Sequence, residues 1–343
     1  MSAEDAHNSR AADRFAHRQS ALTRLTHAPW FGALLSILLV GLFLAFTQPV
    51  FATWANVMNI IKSNSVVFVL ALGATYVIIA GAIDLSVASL AAACSMVYGL
   101  ILVAGFSTVP AIVTILLLGA FLGAINGFLI SYVRISFLVV TLGTLSIYQS
   151  FALILNSGTS ISVYSNPAFK PLYAFVNGSL GPFPVILIFD LVLLLIMGGI
   201  LRYSAFGRAV YAIGSNREAA RLNGINVPLV VMAIFIIAGL TAGLGSLVQI
   251  GRLTSASADV DPTILMTVLA AVLIGGTAFT GGEGGVFGTM VGVLFLGVVQ
   301  NGLTLSGVSS FWQGMVSGLI LIAAVWIGGL RQLSRRRKQA DRT

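Results

Sequence analysis

Residues 228–250 read PLVVMAIFIIAGLTAGLGSLVQI and contain no charged side chain. A helix that crosses the hydrocarbon core of a bilayer needs about 20 mainly apolar residues, so this run predicts a transmembrane helix. The whole chain has the same character, because 58% of its 343 residues are hydrophobic and only 8% are charged. A typical soluble domain is about 25% charged. The composition therefore excludes a soluble enzyme, a disordered protein and a coiled coil, and it indicates an integral membrane protein.

Ten apolar runs of this kind follow one another along the chain. We therefore expect an all-α integral membrane protein of about ten transmembrane helices, with broken or re-entrant elements. Breaks at 81–84 and 281–285 each separate two short helices, and they leave nine or eleven spans as alternatives. The predicted spans are residues 30–47, 57–80, 85–104, 109–133, 136–155, 183–203, 228–250, 265–280, 286–305 and 311–330.

The distribution of Lys and Arg orients these spans, because cytoplasmic loops carry an excess of both residues. With ten spans and both termini in the cytoplasm, only Lys62, Lys170 and Arg252 of the 18 Lys and Arg residues fall outside. An odd number of spans would place one basic terminal cluster outside. Basic clusters that flank membrane spans are expected to contact anionic lipid, and this placement argues against nucleic acid as a partner.

The chain is expected to have one membrane domain and two cytoplasmic tails. Residues 1–28 form the N-terminal tail, residues 29–330 the transmembrane domain, and residues 331–343 the basic C-terminal tail. Two longer connections lie at 156–182, outside, and at 204–227, inside. Neither is long enough to form a soluble domain, so we expect no catalytic domain in this chain.

The inner connection contains a signal for a short helix. Ser215 and Glu218 have the Ser-x-x-Glu spacing of a capping box, in which each side chain binds a free backbone amide of the first helical turn. Helix-forming residues follow, and Gly224 favours a C-terminal stop. We predict an amphipathic cytoplasmic helix at about residues 216–223. An ordinary interfacial helix is the alternative interpretation.

The two breaks carry distinctive residues where membrane helices are interrupted. Asp84 and Ser86 follow the second predicted span, and Asp84 is expected to cap the next helix, with a direct transport role as the alternative. The second break is rich in glycine but lacks the lysine of a phosphate-binding loop, so it is not a nucleotide site. We expect a hairpin between two helices there. Its motif residues are Gly281, Gly282, Glu283, Gly284 and Gly285.

Polar side chains within the predicted spans are few and mostly neutral. Amides and hydroxyls suit a neutral polyhydroxyl solute, because they donate and accept hydrogen bonds without the desolvation cost of a charge. Asp190 is the one acidic residue well inside a span, where interhelical hydrogen bonding is the alternative to a functional role. The candidate path residues are Asn64, Asn126, Tyr148, Gln149, Gln249 and Asn301.

Neither a metal site nor a catalytic centre is expected. The three histidines all lie in the N-terminal tail, and Cys94 is the single cysteine. The spans also lack the ladder of carboxylates that a proton-driven or sodium-driven carrier would require. We therefore expect a partner to supply the energy, and a stand-alone secondary carrier is the alternative.

Small residues repeat at four-residue spacing in two regions. This spacing puts glycines on one helix face and lets a neighbouring backbone approach closely. The sets are Gly119, Gly123 and Gly127, and Gly284, Gly288 and Gly292. The stretch 123–127 (GAING) also resembles 297–302 (GVVQNG). This similarity favours pseudo-symmetric, inverted halves in which spans 2–5 match spans 7–10.

Several motifs resemble those of the permease subunits of bacterial ribose/xylose/arabinose-type ABC importers, in the carbohydrate-uptake branch of the branched-chain permease superfamily. GAIDLSVAS at 81–89 is similar to the first family signature. Residues 274–302, with GGEGGV at 281–286, are similar to the second. Glu218-Ala219-Ala220 followed by Gly224 looks like the Glu-Ala-Ala–x3–Gly core of the importer coupling loop.

The resemblance implies a transport subunit of the bacterial inner or plasma membrane that is not itself an enzyme. It implies a homodimer around the solute path, a periplasmic or lipid-anchored substrate-binding protein, and a cytoplasmic double-cassette ATPase. This chain would hold no cofactor, because ATP and Mg²⁺ would bind the partner ATPase. Coupling to that ATPase would map onto Ser215, Asn216, Arg217, Glu218, Ala219, Ala220, Arg221 and Gly224.

The expected solute is a monosaccharide or a related polyol. Two departures from the family pattern bear on its identity. Ala88 stands where the family usually has glycine, and Thr263–Met266 stand where it often has an acidic Glu-Leu-Asp-Ala run. Import of another small solute by the same fold, such as a nucleoside, an amino acid or a signalling sugar, is the alternative.

Overall fold

The computed structural model describes residues 28, 30–259, 262–309 and 312–326, and these residues form a predominantly helical protein. Almost all of the predicted terminal tails lie outside this part of the chain. The helices are α1 (Phe31–Thr47), α2 (Trp54–Ile79), α3 (Val87–Val103), α4 (Thr108–Ser131), α5 (Phe137–Ile154), α6 (Lys170–Asn177), α7 (Val185–Tyr203), α8 (Ala205–Ser215), α9 (Arg217–Leu222), α10 (Val227–Leu253), α11 (Pro262–Ile274), α12 (Val286–Leu305) and α13 (Trp312–Trp326).

Six of these helices are long and apolar enough to cross a membrane, namely α2, α4, α5, α7, α10 and α12. Shorter apolar helices, α1, α3, α11 and α13, overlap the four remaining predicted spans. The clearest difference from prediction is in the span at 265–280, because α11 already ends at Ile274. Gly275 and Gly276 follow, and Gly276 has a φ of 89°, a left-handed conformation that ends the helix.

Helices α4 and α10 are packed with their backbones in close contact. A Cβ added at Gly119 would meet the carbonyl of Gly239, and one added at Gly123 would meet the carbonyl of Phe235. Gly127 lies in the same way against Met232. The four-residue glycine spacing in α4 is thus a helix-packing face, as its spacing predicts.

The second glycine set is divided between a helix and a break. Gly288 lies on the backbone of Gly275, and Gly292 lies on that of Ala271, so α12 packs closely against α11. Gly284 precedes α12 and has a φ of 132°. The prediction that Gly284 shares one helix face with the other two is therefore wrong, because the helix begins only at Val286.

The connections between helices collect at two opposite ends of the bundle. One end, here called the strand end, contains strands β1 (Ile161–Ser162), β2 (Ser179–Leu180), β3 (Phe183–Pro184) and β4 (Ser255–Ala256). β1 pairs antiparallel with β4, and β2 with β3. The other end, here called the break end, contains both glycine-rich breaks together with α8 and α9.

Contacts between distant connections define the strand end. Asn166 Nδ2 donates to the carbonyl of Leu102 at 2.9 Å, and Trp54 Nε1 donates to that of Pro182 at 3.2 Å. The connection 156–182 is therefore more ordered than its turn signals indicate, since it also contains α6 and a 3₁₀ turn at Pro167–Phe169. Helix α6 buries Leu172 and Val176, and Val176 packs on Gly251 at the end of α10.

Candidate translocation and coupling site

The connection 204–227 folds as two consecutive helices, α8 and α9, where the sequence predicts one. The Ser204 hydroxyl caps α8 by accepting from the amide of Gly207 at 2.9 Å. Val210 and Ile213 of α8 are buried, and their three-residue spacing is a signal by which sequence analysis could have found this helix. Only Asn216 separates the end of α8 from the start of α9.

The cap of α9 differs from the predicted capping box. Asn216 Oδ1 accepts the amide of Ala219 at 2.9 Å, whereas Ser215 is the last residue of α8. Asn216 has extended dihedral angles, φ −160° and ψ 103°, as an N-cap residue should. The capping box at Ser215 is therefore wrong by one residue, because α8 continues through Ser215 and its helical backbone cannot serve as a cap.

The predicted C-terminal stop of α9 at Gly224 is confirmed. Gly224 has a φ of 82°, and its amide donates to the carbonyl of Arg221 at 3.0 Å. The amide of Ile225 donates to the carbonyl of Ala220 at 3.1 Å. This pair of hydrogen bonds is the Schellman motif, which requires a left-handed residue at the position of Gly224.

Helix α9 presents an ion pair and an apolar side chain to its surroundings. Arg221 donates through Nη2 to Glu218 Oε1 at 2.6 Å and through Nε to Oε2 at 3.2 Å. Hydrogen bonds from Arg221, and then its charge, lower the pKa of Glu218, and Glu218 in turn raises the pKa of Arg221. Leu222 is 76% exposed beside the pair. Sequence reasoning missed Leu222, because exposure cannot be read from one leucine in a short helix.

The first break is held by the side chain of Asp84. Its Oδ1 accepts both the amide of Ser86 at 2.8 Å and the hydroxyl of Ser86 at 2.6 Å. Ser86, and not Asp84, occupies the N-cap position of α3. The prediction that Asp84 caps α3 is thus wrong in position, because Asp84 forms a tight turn onto Ser86 two residues later.

This turn continues into a buried polar network that contains two candidate path residues. Asn126 of α4 donates through Nδ2 to the hydroxyl of Ser86 at 2.9 Å. Tyr148 of α5 lies with its hydroxyl 3.2 Å from Asn126 Oδ1 and donates to the carbonyl of Leu122 at 2.9 Å. All four side chains are at most 5% exposed. The structure therefore joins Asp84 and Ser86 to Asn126 and Tyr148.

Two further candidate path residues lie along the contact between α2 and α12, here called the polar seam. Asn56 and Asn301 bind each other through their side-chain amides at the strand end. Asn64 packs against Gly297, and the hydroxyls of Thr75 and Thr289 lie 2.6 Å apart towards the break end. The residue numbers rise on one helix as they fall on the other, so the two helices are antiparallel. Asn56, Thr75 and Thr289 were missed because each sits singly among apolar residues.

The remaining candidate path residues lie elsewhere. Gln149 donates to the carbonyl of Ala258 at 2.8 Å near the strand end. Gln249 is half-buried on α10 and makes no side-chain hydrogen bond among the described residues. Asp190 of α7 accepts a hydrogen bond from the hydroxyl of Ser65 of α2 at 2.9 Å. This is the interhelical hydrogen bond that the sequence analysis offers as the alternative to a functional role. The six candidate residues thus form separate groups in the chain, and their common role stays a prediction.

A small cavity lies beside α9 at the break end. It has a volume of about 100 Å³, and its lining includes Val77, Gly81, Phe137, Arg217 and Phe235. None of the six candidate path residues is among the described residues that line it. Arg217 supplies the only polar side chain among the described residues that line the cavity, so the cavity lacks the set of polar side chains that a polyhydroxyl solute requires.

The second break contacts both α2 and α8. The amide of Gly282 donates to the carbonyl of Ile79, the last residue of α2, at 2.8 Å. Tyr211 of α8 donates through its hydroxyl to the carbonyl of Gly284, also at 2.8 Å. Within the break, the carbonyl of Glu283 accepts the amide of Ala278 at 3.1 Å, so residues 278–283 form a closed turn. The expected hairpin is thereby present between α11 and α12.

The long apolar helices define a multi-pass membrane protein that carries the α8–α9 pair at one end of its bundle. The chain belongs to the family described as the branched-chain amino acid transport system permease component, whose match covers residues 56–325. It is a multi-pass inner-membrane protein. The family resemblance inferred from the signature motifs is confirmed.

Curated relatives match this chain along most of its length. The ribose import permease of Bacillus subtilis (strain 168) is 34% identical over 86% of this chain and 91% of its own. The D-allose transport system permease of Escherichia coli (strain K12) is 32% identical over 84% and 87%. The galactose/methyl galactoside import permease of Salmonella typhimurium (strain LT2) is 29% identical over 92% and 100%. No solved structure matches significantly.

Proposed function

We propose that this chain is the membrane-spanning subunit of an ATP-driven importer and carries a monosaccharide or a related polyol inward. The observation that carries the proposal is α9, a capped helix with an exposed leucine and ion pair, tied through α8 to both breaks. An exposed helix of this kind suits a groove on a partner protein. The names of relatives, which import ribose, allose and galactose, favour a sugar as the solute.

The proposed topology has ten spans, pseudo-symmetric halves and cytoplasmic termini. The grouping of connections supports it, since those assigned to the cytoplasm by Lys/Arg distribution, 81–84, 204–227 and 281–285, meet at the break end. Packing supports the inverted halves. If spans 2–5 match spans 7–10, α2 is equivalent to α10 and α4 is equivalent to α12. The contact between α4 and α10 is then equivalent to the contact between α12 and α2, and both contacts are present.

The proposed assembly contains two copies of this chain, a cytoplasmic double-cassette ATPase and a substrate-binding protein. ATP and Mg²⁺ bind the ATPase, and the permease itself carries out no chemical step. Each nucleotide state moves the permease only to the extent that it binds one conformer more tightly than the other. The solute path then runs between the copies, and the separation of the six candidate path residues into distinct groups within one chain supports this arrangement.

Uptake in proteoliposomes tests the proposal. The chain is reconstituted with its ATPase and binding protein, and accumulation of labelled ribose, allose, galactose, ribitol and leucine is measured with ATP and without it. We expect ATP-dependent uptake of one of the sugars or of the polyol. ATP-dependent uptake of leucine alone would favour the family's amino acid transport instead, and uptake driven by an ion gradient without ATP would show a secondary carrier.

Leu222→Glu provides a matched variant for the same assay. Burial of a leucine in a partner groove contributes about 1.5–3 kcal/mol, so loss of Leu222 should weaken ATPase binding by about tenfold or more. Because Leu222 is 76% exposed in the chain itself, the variant should insert and unfold like the wild type. Leu180→Glu, at a leucine that is 63% exposed at the opposite, strand end, is the matched control and should leave ATPase binding unchanged.

A further inference from the structure

The end of α8 lies where the two breaks of the membrane domain come together. A Cβ added at Gly214 would overlap the carbonyl oxygen of Ile79 and lie 2.5 Å from the amide of Gly282. A Cβ at Gly282 would lie 2.5 Å from the hydroxyl of Ser215. Three separate chain segments thus meet through their backbones, and we call this contact the inner junction.

Side chains of α8 hold it to both partners of the junction. The ring of Phe206 stacks on Tyr76 of α2, with centroids 6.3 Å apart and planes at 24°. The hydroxyl of Tyr211 donates to the carbonyl of Gly284 in the second break at 2.8 Å. The helix is therefore fixed to α2 on one side and to the start of α12 on the other.

The junction is continuous with the polar seam. Ile79 ends α2 and Gly284 precedes α12, the two helices joined at Thr75–Thr289, Asn64–Gly297 and Asn56–Asn301. Because packed helices move as rigid elements, a displacement at the junction reaches the far end of the seam. At the C-terminal end of α8, only Asn216 separates it from α9, so the two helices have little freedom to move independently.

We propose that the inner junction is a mechanical joint through which α9 moves the α2–α12 pair as one unit, with Tyr211, Gly214 and Gly282 as its positioning residues. The proposal rests on the proposed function, since α9 is the helix assigned to the ATPase. It assigns the α2–α12 pair as the element that receives the movement first; α2 in turn packs closely against α10, where Gly73 lies on Ala238 and Thr241. Glycine is required at positions 214 and 282 because a side chain there would push the segments apart.

Hydrogen–deuterium exchange of the full-length chain in lipid nanodiscs tests the joint without any partner. Tyr211→Phe removes the hydrogen bond to Gly284 and keeps the ring. We expect exchange of the Gly282 amide and of the α9 amides to rise together by about fivefold, the effect of one neutral hydrogen bond. Exchange in the α4 segment 119–127 should stay unchanged. Tyr203→Phe, at a tyrosine that is 76% exposed, is the matched control and should change neither.

The reciprocal variant is Asn216→Ala, which removes the cap of α9. Because coupling between two sites is reciprocal, its local effect should also raise exchange at Gly282. The joint would be overturned if Tyr211→Phe raised amide exchange at Gly282 but not in α9. It would also be overturned if Asn216→Ala did not raise exchange at Gly282. A rise that extends to α4 would also overturn it, since that marks general loss of stability. If the chain imports no solute in proteoliposomes but both variants raise exchange at Gly282 and in α9 together, the importer assignment is wrong and the joint still stands.

Discussion

Asn56 and Asn301 exchange two side-chain hydrogen bonds, Nδ2 of each residue donating to Oδ1 of the other at 2.9 Å. Asn56 Nδ2 also donates to the carbonyl of Phe51 at 3.0 Å, and Asn56 is 7% exposed. The reciprocal pair closes the polar seam at the strand end, opposite the inner junction. It joins α2 and α12 beyond the contact of Asn64 with Gly297, towards the strand end.

Loss of either asparagine should weaken the contact between α2 and α12. Asn56→Ala or Asn301→Ala leaves one amide unpaired, which costs about 1–2 kcal/mol of unfolding free energy. The double-mutant cycle should give a coupling energy of about 0.6 kcal/mol, the typical value between membrane helices. Unfolding in detergent titrations measures both quantities. Asn59→Ala, on the exposed side of α2, is the control, and a coupling energy of zero would contradict the paired geometry.

Loss of Asn126 should destabilise its buried network more than loss of the Tyr148 hydroxyl. Asn126→Ala leaves both the Ser86 and the Tyr148 hydroxyls without this partner and should cost about 2–3 kcal/mol, whereas Tyr148→Phe removes one donor and should cost about 1 kcal/mol. Thermal unfolding in nanodiscs measures this difference.

If Asn126 also flanks the path, Asn126→Ala and Asn301→Ala should both change the KM for uptake. Unchanged uptake in both variants would remove the two residues from the path.

A methyl group should have opposite effects on two helical glycines. Gly123→Ala places a Cβ against the Phe235 carbonyl and 3.2 Å from the Gly239 Cα, so it should destabilise the chain by about 1–3 kcal/mol. Gly143→Ala on α5 meets nothing within 4 Å and should stabilise it by about 0.5–1 kcal/mol through lower backbone entropy in the unfolded chain. Unfolding midpoints measure both. Equal shifts in the two variants would be inconsistent with the close contact of α4 and α10.

The ion pair of α9 should matter for coupling and be insensitive to pH near neutrality. Arg221→Glu or Glu218→Pro should uncouple ATP hydrolysis from uptake while the chain still inserts, because the first reverses one charge of the ion pair and the second removes its carboxylate. Solute transported per ATP hydrolysed is the measurement. Normal uptake with full ATP dependence in both variants would remove α9 from the coupling route.

The pH dependence of the pair follows from the lowered pKa of Glu218. A carboxylate with a lowered pKa contributes stability above its unfolded pKa of about 4.3, and that contribution is lost as the pH falls through the folded value. Between about pH 5 and pH 8 the pair should therefore stay intact and the coupling ratio constant. Below this window the coupling ratio of the wild type should change as Glu218 is protonated, whereas that of a Glu218→Gln variant, which cannot ionise, should not. A titration of coupling near neutrality that disappears in this variant would contradict the lowered pKa.

Much of the architecture is determined by local sequence, because lipid permits few structures. A chain without enough charge for a polar surface must form apolar helices, and each of the ten predicted runs does overlap a helix. The glycine face of α4 and the stop at Gly224 could likewise be predicted, since helix periodicity and left-handed backbone geometry are local properties. The cap of α9 was misplaced by one residue because Ser215 and Asn216 are both good caps, and only the length of α8 decides between them.

Tertiary structure alone decided which polar residues meet. Asn126 and Asn301 occupy similar positions in two similar stretches, yet Asn126 binds Ser86 at the first break and Asn301 binds Asn56 across the polar seam. No spacing along the chain encodes that difference, because it depends on which helix lies opposite. The same is true of the inner junction, where residues 79–81, 214–215 and 281–282 are far apart in sequence and come together only when three chain segments pack without side chains between them.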